Sequence, residues 1–186
     1  LPLIKNNTNS FQTLTPILMP ILAPYNNNTG AQTISASNVF SSNRTTDLNQ
    51  WESGPRINYG IEWFLDLKKN IDVKLTIAQT AKINKHRQDS SEEISDYMLS
   101  SRIILDSNKY IDNTIILDRR DRNIKGSGIN AYFDYNKFRF AIDHDYISEK
   151  YGTGSEQIRI GGNVLLGNDF SLNFTGTRNL DTSNNI

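Results

Sequence analysis

From residue 55 onward the chain alternates. Ile57, Tyr59, Ile61, Trp63, Leu65 and Leu67 occupy odd positions; Arg56, Asn58, Gly60, Glu62, Asp66 and Lys68 occupy even ones, with Phe64 the one apolar residue out of step. A period of two is the mark of a β-strand with one apolar and one polar face. The run is also long. Soluble strands average about 5–6 residues, whereas a strand tilted at about 45° needs roughly 9–11 to cross a bilayer. The pattern recurs, and downstream of Gly54 it predicts eight strands. In the second, Ile71, Val73, Leu75 and Ile77 alternate with Asp72, Lys74 and Thr76. The third (about 97–106) and fourth (about 110–118) alternate less cleanly, because Ile103-Ile104-Leu105 and Ile115-Ile116-Leu117 are unbroken apolar runs, so their register stays open. The fifth sets Ile129, Ala131, Phe133 and Tyr135 on one face, and the sixth Phe138, Phe140, Ile142, His144 and Tyr146. The seventh presents Ile158, Ile160, Gly162, Val164 and Leu166, and the eighth Phe170, Leu172 and Phe174.

The connections sort by length. Lys68–Asn70, Ser107–Lys109, Asn136–Lys137 and Gly167–Asp169 are short; Thr80–Asp96, Arg119–Lys125 and Ser148–Ser155 are long. Strict short–long alternation fits an outer-membrane barrel, with tight turns at one rim and longer loops at the other, and a soluble sandwich has no reason to reproduce it. Tyr59, Trp63, Tyr135, Phe138, Tyr146 and Phe170 lie near strand ends, where interfacial aromatic girdles would place them, although aromatics favour strands in general. The expected fold class is therefore all-β, an antiparallel up-and-down meander forming part of a transmembrane outer-membrane β-barrel. Residues 1–54 read as a Pro/Asn-rich strand and loop segment, lumenal or extracellular, 55–178 as the barrel strands, and 179–186 as a truncated end or loop. Thr13–Tyr25 is read as one strand interrupted by prolines, which a sheet tolerates at an edge or a bulge.

The totals narrow the functional classes. Twenty basic and twenty acidic residues give a formal net charge of zero, which argues against nucleic acid as a partner. No apolar run reaches the roughly 18 residues of a transmembrane helix. The longest, Pro16 to Tyr25, is broken by Pro16, Pro20 and Pro24. A mean hydropathy of -0.53 says little here, because alternation hides an apolar band in the average. Cysteine is absent, so disulfide and thiol chemistry are too. No leader segment follows Leu1, and the expectation is a piece of a longer chain.

Candidate chemistry is sparse. Asp143-His144-Asp145 resembles a metal or acid–base cluster, but neighbours on a strand point to opposite faces; the plainer reading is an interfacial histidine beside Tyr146. His86 lies in a charged segment with no second ligand at useful spacing. No catalytic residue, metal site or cofactor is assigned. The run Arg119-Arg120-Asp121-Arg122 reads first as a solvated loop, and second as a cationic loop able to touch a phosphorylated surface glycolipid by charge complementarity. The polar faces carry more. Asn58, Glu62, Asp72, Lys74, Asn130, Asp134, Arg139, Asp143, Arg159 and Asn163 would line a hydrated lumen, or else face water on an open sheet.

Two segments add a specific motif. Asn38-Val-Phe-Ser-Ser-Asn-Arg44, followed by Trp51-Glu-Ser-Gly-Pro-Arg-Ile-Asn-Tyr-Gly60, closely resembles the LptD (OstA/Imp) family of lipopolysaccharide-assembly proteins. Phe40, Asn43, Arg44, Glu52, Gly54, Arg56, Asn58, Tyr59 and Gly60 match its pattern, and residues 45–50 depart from it. The resemblance implies a very large barrel in the bacterial outer membrane that inserts lipopolysaccharide into the outer leaflet. It also implies contact with outer-membrane lipids, a plug lipoprotein of the LptE kind, and a periplasmic bridge protein delivering the lipopolysaccharide. It implies no enzymatic step. The family's lateral gate joins its first and last strands, so this segment is expected to supply wall and lumenal loop. Two alternatives stay open, a passive porin-like barrel and a soluble β-sandwich binding domain.

Overall fold

The computed structural model describes residues 1–25, 34–45, 52–68, 70–83, 93–152, 154–166 and 170–180. Ten strands follow one another: β1 (Leu3–Asn7), β2 (Ser10–Ile21), β3 (Arg56–Asp66), β4 (Asp72–Lys82), β5 (Tyr97–Asp106), β6 (Lys109–Leu117), β7 (Ile124–Tyr135), β8 (Phe138–Ile147), β9 (Ser155–Leu166) and β10 (Phe170–Asn179). They form one antiparallel sheet in which spatial order equals chain order. This is the expected all-β meander. Among the described residues the sheet is open, with β1 and β10 as its edges.

Eight strands lie downstream of Gly54, as the alternation predicts, and the differences concern their ends. β4 runs to Lys82, inside the segment expected to be loop from Thr80, and a bridge between Ala81 and Ile94 continues the pairing. The alternation persists there through Thr76, Ala78 and Thr80, but on a polar background that masks it. β7 begins at Ile124, inside the expected charged loop. The hairpin partner β1 had no apolar alternation to announce it, since Lys5, Asn6 and Asn7 fill most of its length. Pro16 and Pro20 are accommodated because β1 pairs with Ser10–Leu14, leaving β2 with β3 as its single neighbour beyond that point among the described residues. That meets the edge condition for proline.

One of the ambiguous runs, Ile103-Ile104-Leu105, has a structural cause. The β5–β6 register shifts between Ile104 and Asp106 with Leu105 as the extra residue, whereas the β6–β7 shift skips Lys125 on β7 and leaves Ile115-Ile116-Leu117 alternating between the two faces. An extra residue in one strand of a pair reverses the face on which later side chains fall, so a bulge reads in sequence as a broken alternation.

Register defines the two faces. One row of direct partners crosses the sheet through Thr13, Phe64, Lys74, Arg102, Asp112, Asn130, Asp143, Arg159 and Thr177. This polar face includes Phe64, which sits between Thr13 and Lys74. The opposite face carries Leu18, Ile61, Leu75, Ile77, Ile129, Phe138, Ile160, Leu172 and Phe174, all exposed. The buried apolar core of the described residues is only Ala36, Val39, Ala78 and Met98, and it lies on the polar face. The chain is inside out relative to a soluble domain.

Candidate functional site

Between β2 and β3, residues 34–45 and 52–55 pack over the polar face. The inner turn is built by Asn38, whose Oδ1 accepts from Ser35 N at 2.8 Å, while Val39 N donates to Ser35 O at 2.9 Å and Ser41 N to Asn38 O at 2.8 Å. The turn drives Val39, fully buried, against Ala78 of β4 and Met98 of β5, with Ile34 and Phe40 packed alongside. Burying a valine is worth about 1.5–3 kcal/mol. That is too little to hold a segment of this length unaided.

An ionic network does the rest. The Glu52 carboxylate accepts from Arg44 Nε at 2.7 Å and from Arg44 Nη2, and Arg56 Nη2 lies 3.1 Å from its Oε2. All three side chains are fully enclosed. Arg44 Nη1 donates to Thr80 Oγ1 at 2.6 Å, and that hydroxyl donates to Asn58 Oδ1 at 3.0 Å. Arg56 also donates to the carbonyls of Ser42 (2.5 Å) and Glu52 (3.4 Å), so it ties both of these positions to the start of β3. Asn43 Oδ1 closes the loop on itself, accepting from Glu52 N at 3.0 Å and Thr45 Oγ1 at 3.1 Å.

The glycines of this region have definite tasks. Gly54 has φ +85°, a conformation side chains resist, and a Cβ there would stand 2.9 Å from the Tyr25 ring. Tyr25 reaches over it to donate to Ile83 O at 3.1 Å, and Gly54 N donates to Pro24 O at 3.3 Å. At Gly60 a Cβ would stand 2.3 Å from Ile77 O, so β3 and β4 approach closely only because it is glycine.

The motif residues are thus brought together. Phe40, Asn43, Arg44, Glu52, Gly54, Arg56, Asn58 and Gly60 surround one seam between loop and sheet, whereas Tyr59 points to the other face and donates to Gln79 Oε1 at 3.0 Å. Residues 46–51, including Trp51, and His86 lie outside the described residues. The sequence reading missed Thr80, Tyr25 and Ser95, the last accepting from Thr80 N at 2.9 Å. Carrying the β4 alternation to Lys82 would have placed Thr80 on the polar face; nothing in sequence marks Tyr25 or Ser95.

The ten residues expected at a lumen fall on the polar face in every case. Asn58 needs correcting in one respect: it is fully buried beneath the folded segment and faces no open space. Glu62, Lys74, Asn130, Asp134, Arg139, Asp143 and Asn163 take part in a cross-strand lattice. Arg102 holds Asp112 with two bonds of 2.6 and 2.7 Å, Lys74 pairs with Glu62 at 2.9 Å and Arg139 with Asp134 at 3.0 Å. Asn130 donates to Asp143, and Asn163 to Asn173 Oδ1 at 2.5 Å. His144 is separated from Asp143, as alternation requires, and instead lies 2.9 Å from Glu156. No group of three potential metal ligands occurs among the described residues.

At the long-loop rim, three loops interlock. Lys125 lies between Asp96 (2.8 Å) and Asp118 (3.0 Å) with its ammonium 4.7 Å from the Tyr151 ring centre. Lys150 pairs with Asp121, which also accepts from Tyr151 OH at 2.8 Å. Lys125 and the turn amides of Asp121 and Arg120 hold the Asp118 carboxyl below its ordinary value. Lys150, the Asn123 amide and Tyr151 hold Asp121 well below, and the same contact pushes Lys150 up.

A family model described as LptD, LPS transport system D, matches residues 2–178. The chain belongs to the LptD family. The match covers β1 to β9, all but the last residue of β10, and the segment between β2 and β3. Membership connects the chain to lipopolysaccharide transport and assembly, the work of a transport family. A comparison with curated proteins finds no match.

Proposed function

We propose that this chain is a wall section of an LptD barrel in the outer membrane. Its polar face lines the hydrated route taken by the lipopolysaccharide sugars, and its apolar face meets lipid acyl chains. The inverted distribution of side chains carries the reading: exposed Ile61, Ile77, Ile129, Phe138 and Leu172 share one face, while the buried core and the Lys74–Glu62, Arg102–Asp112 and Arg139–Asp134 pairs lie on the other. A water-facing protein rarely exposes so large an apolar surface. β2 to β10 are 9–12 residues long, enough to span a hydrocarbon core. Tyr135, Phe138 and Phe170 stand exposed on the apolar face at the short-turn rim, where a membrane interface accommodates aromatic rings.

The folded segment serves as a fixed lumenal insert, since enclosed ion pairs tie it to β3 and β4. The unpaired edges of β1 and β10 would be continued by further strands of the parent barrel, because an open edge in lipid leaves backbone groups unsatisfied. Periplasmic delivery of the glycolipid and a plug lipoprotein complete the proposed partners. Photoreactive residues in the full-length protein in cells test this reading. Placed at Lys74 and Arg102, they should give energy-dependent crosslinks to lipopolysaccharide; placed at Leu75 and Ile77, they should give crosslinks to membrane lipid. Silence at the first pair in an inserted barrel would favour a passive porin, and extraction without detergent would sink the membrane assignment.

A further inference from the structure

The turn Asp118–Asn123 joins β6 to β7 at the long-loop rim and holds Arg119, Arg120 and Arg122 in a fixed array. Asp118 Oδ1 accepts from Arg120 N at 2.7 Å and Asp121 N at 3.1 Å, Asp118 N donates to Asn123 O at 2.8 Å, and Arg122 N donates to Asp118 O at 3.0 Å. Arg119 N is held by Asp96 Oδ1 at 3.1 Å, which ties the turn to the neighbouring loop. Arg122 adopts φ +59°. A bulky residue in the left-handed region is uncommon, and such conformations cluster at ligand-binding sites.

Charge and polarity around the turn narrow what it would take. Its acids already have partners, Asp96 and Asp118 in Lys125, and Asp121 in Lys150 and Tyr151. Arg120 and Arg122 are exposed at its tip. Two residues beyond Arg122 the chain reaches Ile124, 46% exposed and on the apolar face, in a row with Leu117 and Tyr97. Exposed arginines two and four residues before an exposed apolar rim residue match a headgroup phosphate beside its acyl chains, and arginine suits phosphate by its forked donors.

We propose that this turn docks the phosphate groups of a phosphorylated glycolipid in the outer leaflet, holding the membrane surface against the barrel rim. The inference rests on the wall reading for its orientation. A photoreactive residue at Asn123 of the full-length protein, reconstituted in vesicles of phosphorylated glycolipid, tests it. Crosslinking to the glycolipid is expected, reduced on the order of tenfold when the lipid phosphates are removed or in R119Q/R120Q/R122Q, as losing the exposed Arg120 and Arg122 contacts would give. Should the triple variant fail to insert, R122Q alone is expected to lower the yield measurably. Equal crosslinking to the dephosphorylated lipid, or an undiminished yield in the variants, would overturn the proposal. Loss of signal to millimolar inorganic phosphate would make this a soluble-anion site. An equal yield with phosphatidylglycerol would make it a general anionic surface. Either result removes the glycolipid. If crosslinks at Lys74 and Arg102 persist while this one fails, only the docking site falls; the reverse result removes the wall reading.

Discussion

Replacing Glu52 with glutamine is the sharpest perturbation of the seam between loop and sheet. Its carboxylate is the anion between the guanidinium groups of Arg44 and Arg56, and the three side chains have no exposed surface. The substitution keeps the shape and one acceptor but removes the charge, leaving two enclosed cations with no carboxylate between them. Breaking a buried pair in this way costs about 3–5 kcal/mol, because the remaining charge is desolvated and uncompensated. The apolar anchor cannot make up that loss, since Val39 is the only large apolar side chain fully buried among the described residues and contributes about 1.5–3 kcal/mol. The β3–β4 ladder does not pass through Glu52, so the sheet should survive while the segment detaches. Hydrogen exchange of the full-length variant in detergent reads this directly: the Val39 and Ser41 amides should exchange roughly 10²–10⁴-fold faster, and β3 amides at unchanged rates. Arg44→Met with Glu52→Met should cost less than the sum of the two single changes, as a double-mutant cycle would show. Unchanged exchange at Val39 in Glu52→Gln would refute the view that this network holds the insert.

Gly60→Val should prevent barrel assembly, because its Cβ would meet the Ile77 carbonyl at 2.3 Å, whereas Gly176→Ala, with open space around it, should assemble normally; heat-modifiable electrophoretic mobility separates the two. Gly54→Ala should destabilise the insert by about 1–3 kcal/mol through its left-handed backbone and its approach to Tyr25 at 2.9 Å, seen as faster proteolysis between β2 and β3. The Lys150–Asp121 tie should be insensitive to pH across a wide window. The depressed Asp121 carboxyl contributes fully above the ordinary 3.8 and is lost only as pH falls through its lower folded value. The raised Lys150 contributes fully below the ordinary 10.5 and is lost only as pH rises through its higher folded value. A spin label at Asn123 should keep its mobility between those limits in the native protein and become more mobile in Asp121→Asn. A transition near neutral pH would contradict the geometry.

Alternation alone determined much of this protein. The side-chain period of a strand is fixed by backbone geometry, so Ile57–Leu65 and Phe138–Tyr146 announced strand and face without any neighbour, and turn lengths announced the antiparallel order. The clustered motif announced the family. Tertiary structure decided what depends on contacts distant in sequence. The bulges near Leu105 and Lys125 arise from pairing between strands, so an apolar run such as Ile103-Ile104-Leu105 could not fix its own register. The prolines of β2 became acceptable because β1 ends short of them. Arg44 and Thr80, 36 residues apart, meet only when the segment between β2 and β3 folds back onto β4. Local periodicity could assign Asn58 to the polar face, but only the folded chain shows that face covered above it, because burial belongs to the assembled surface and not to the strand.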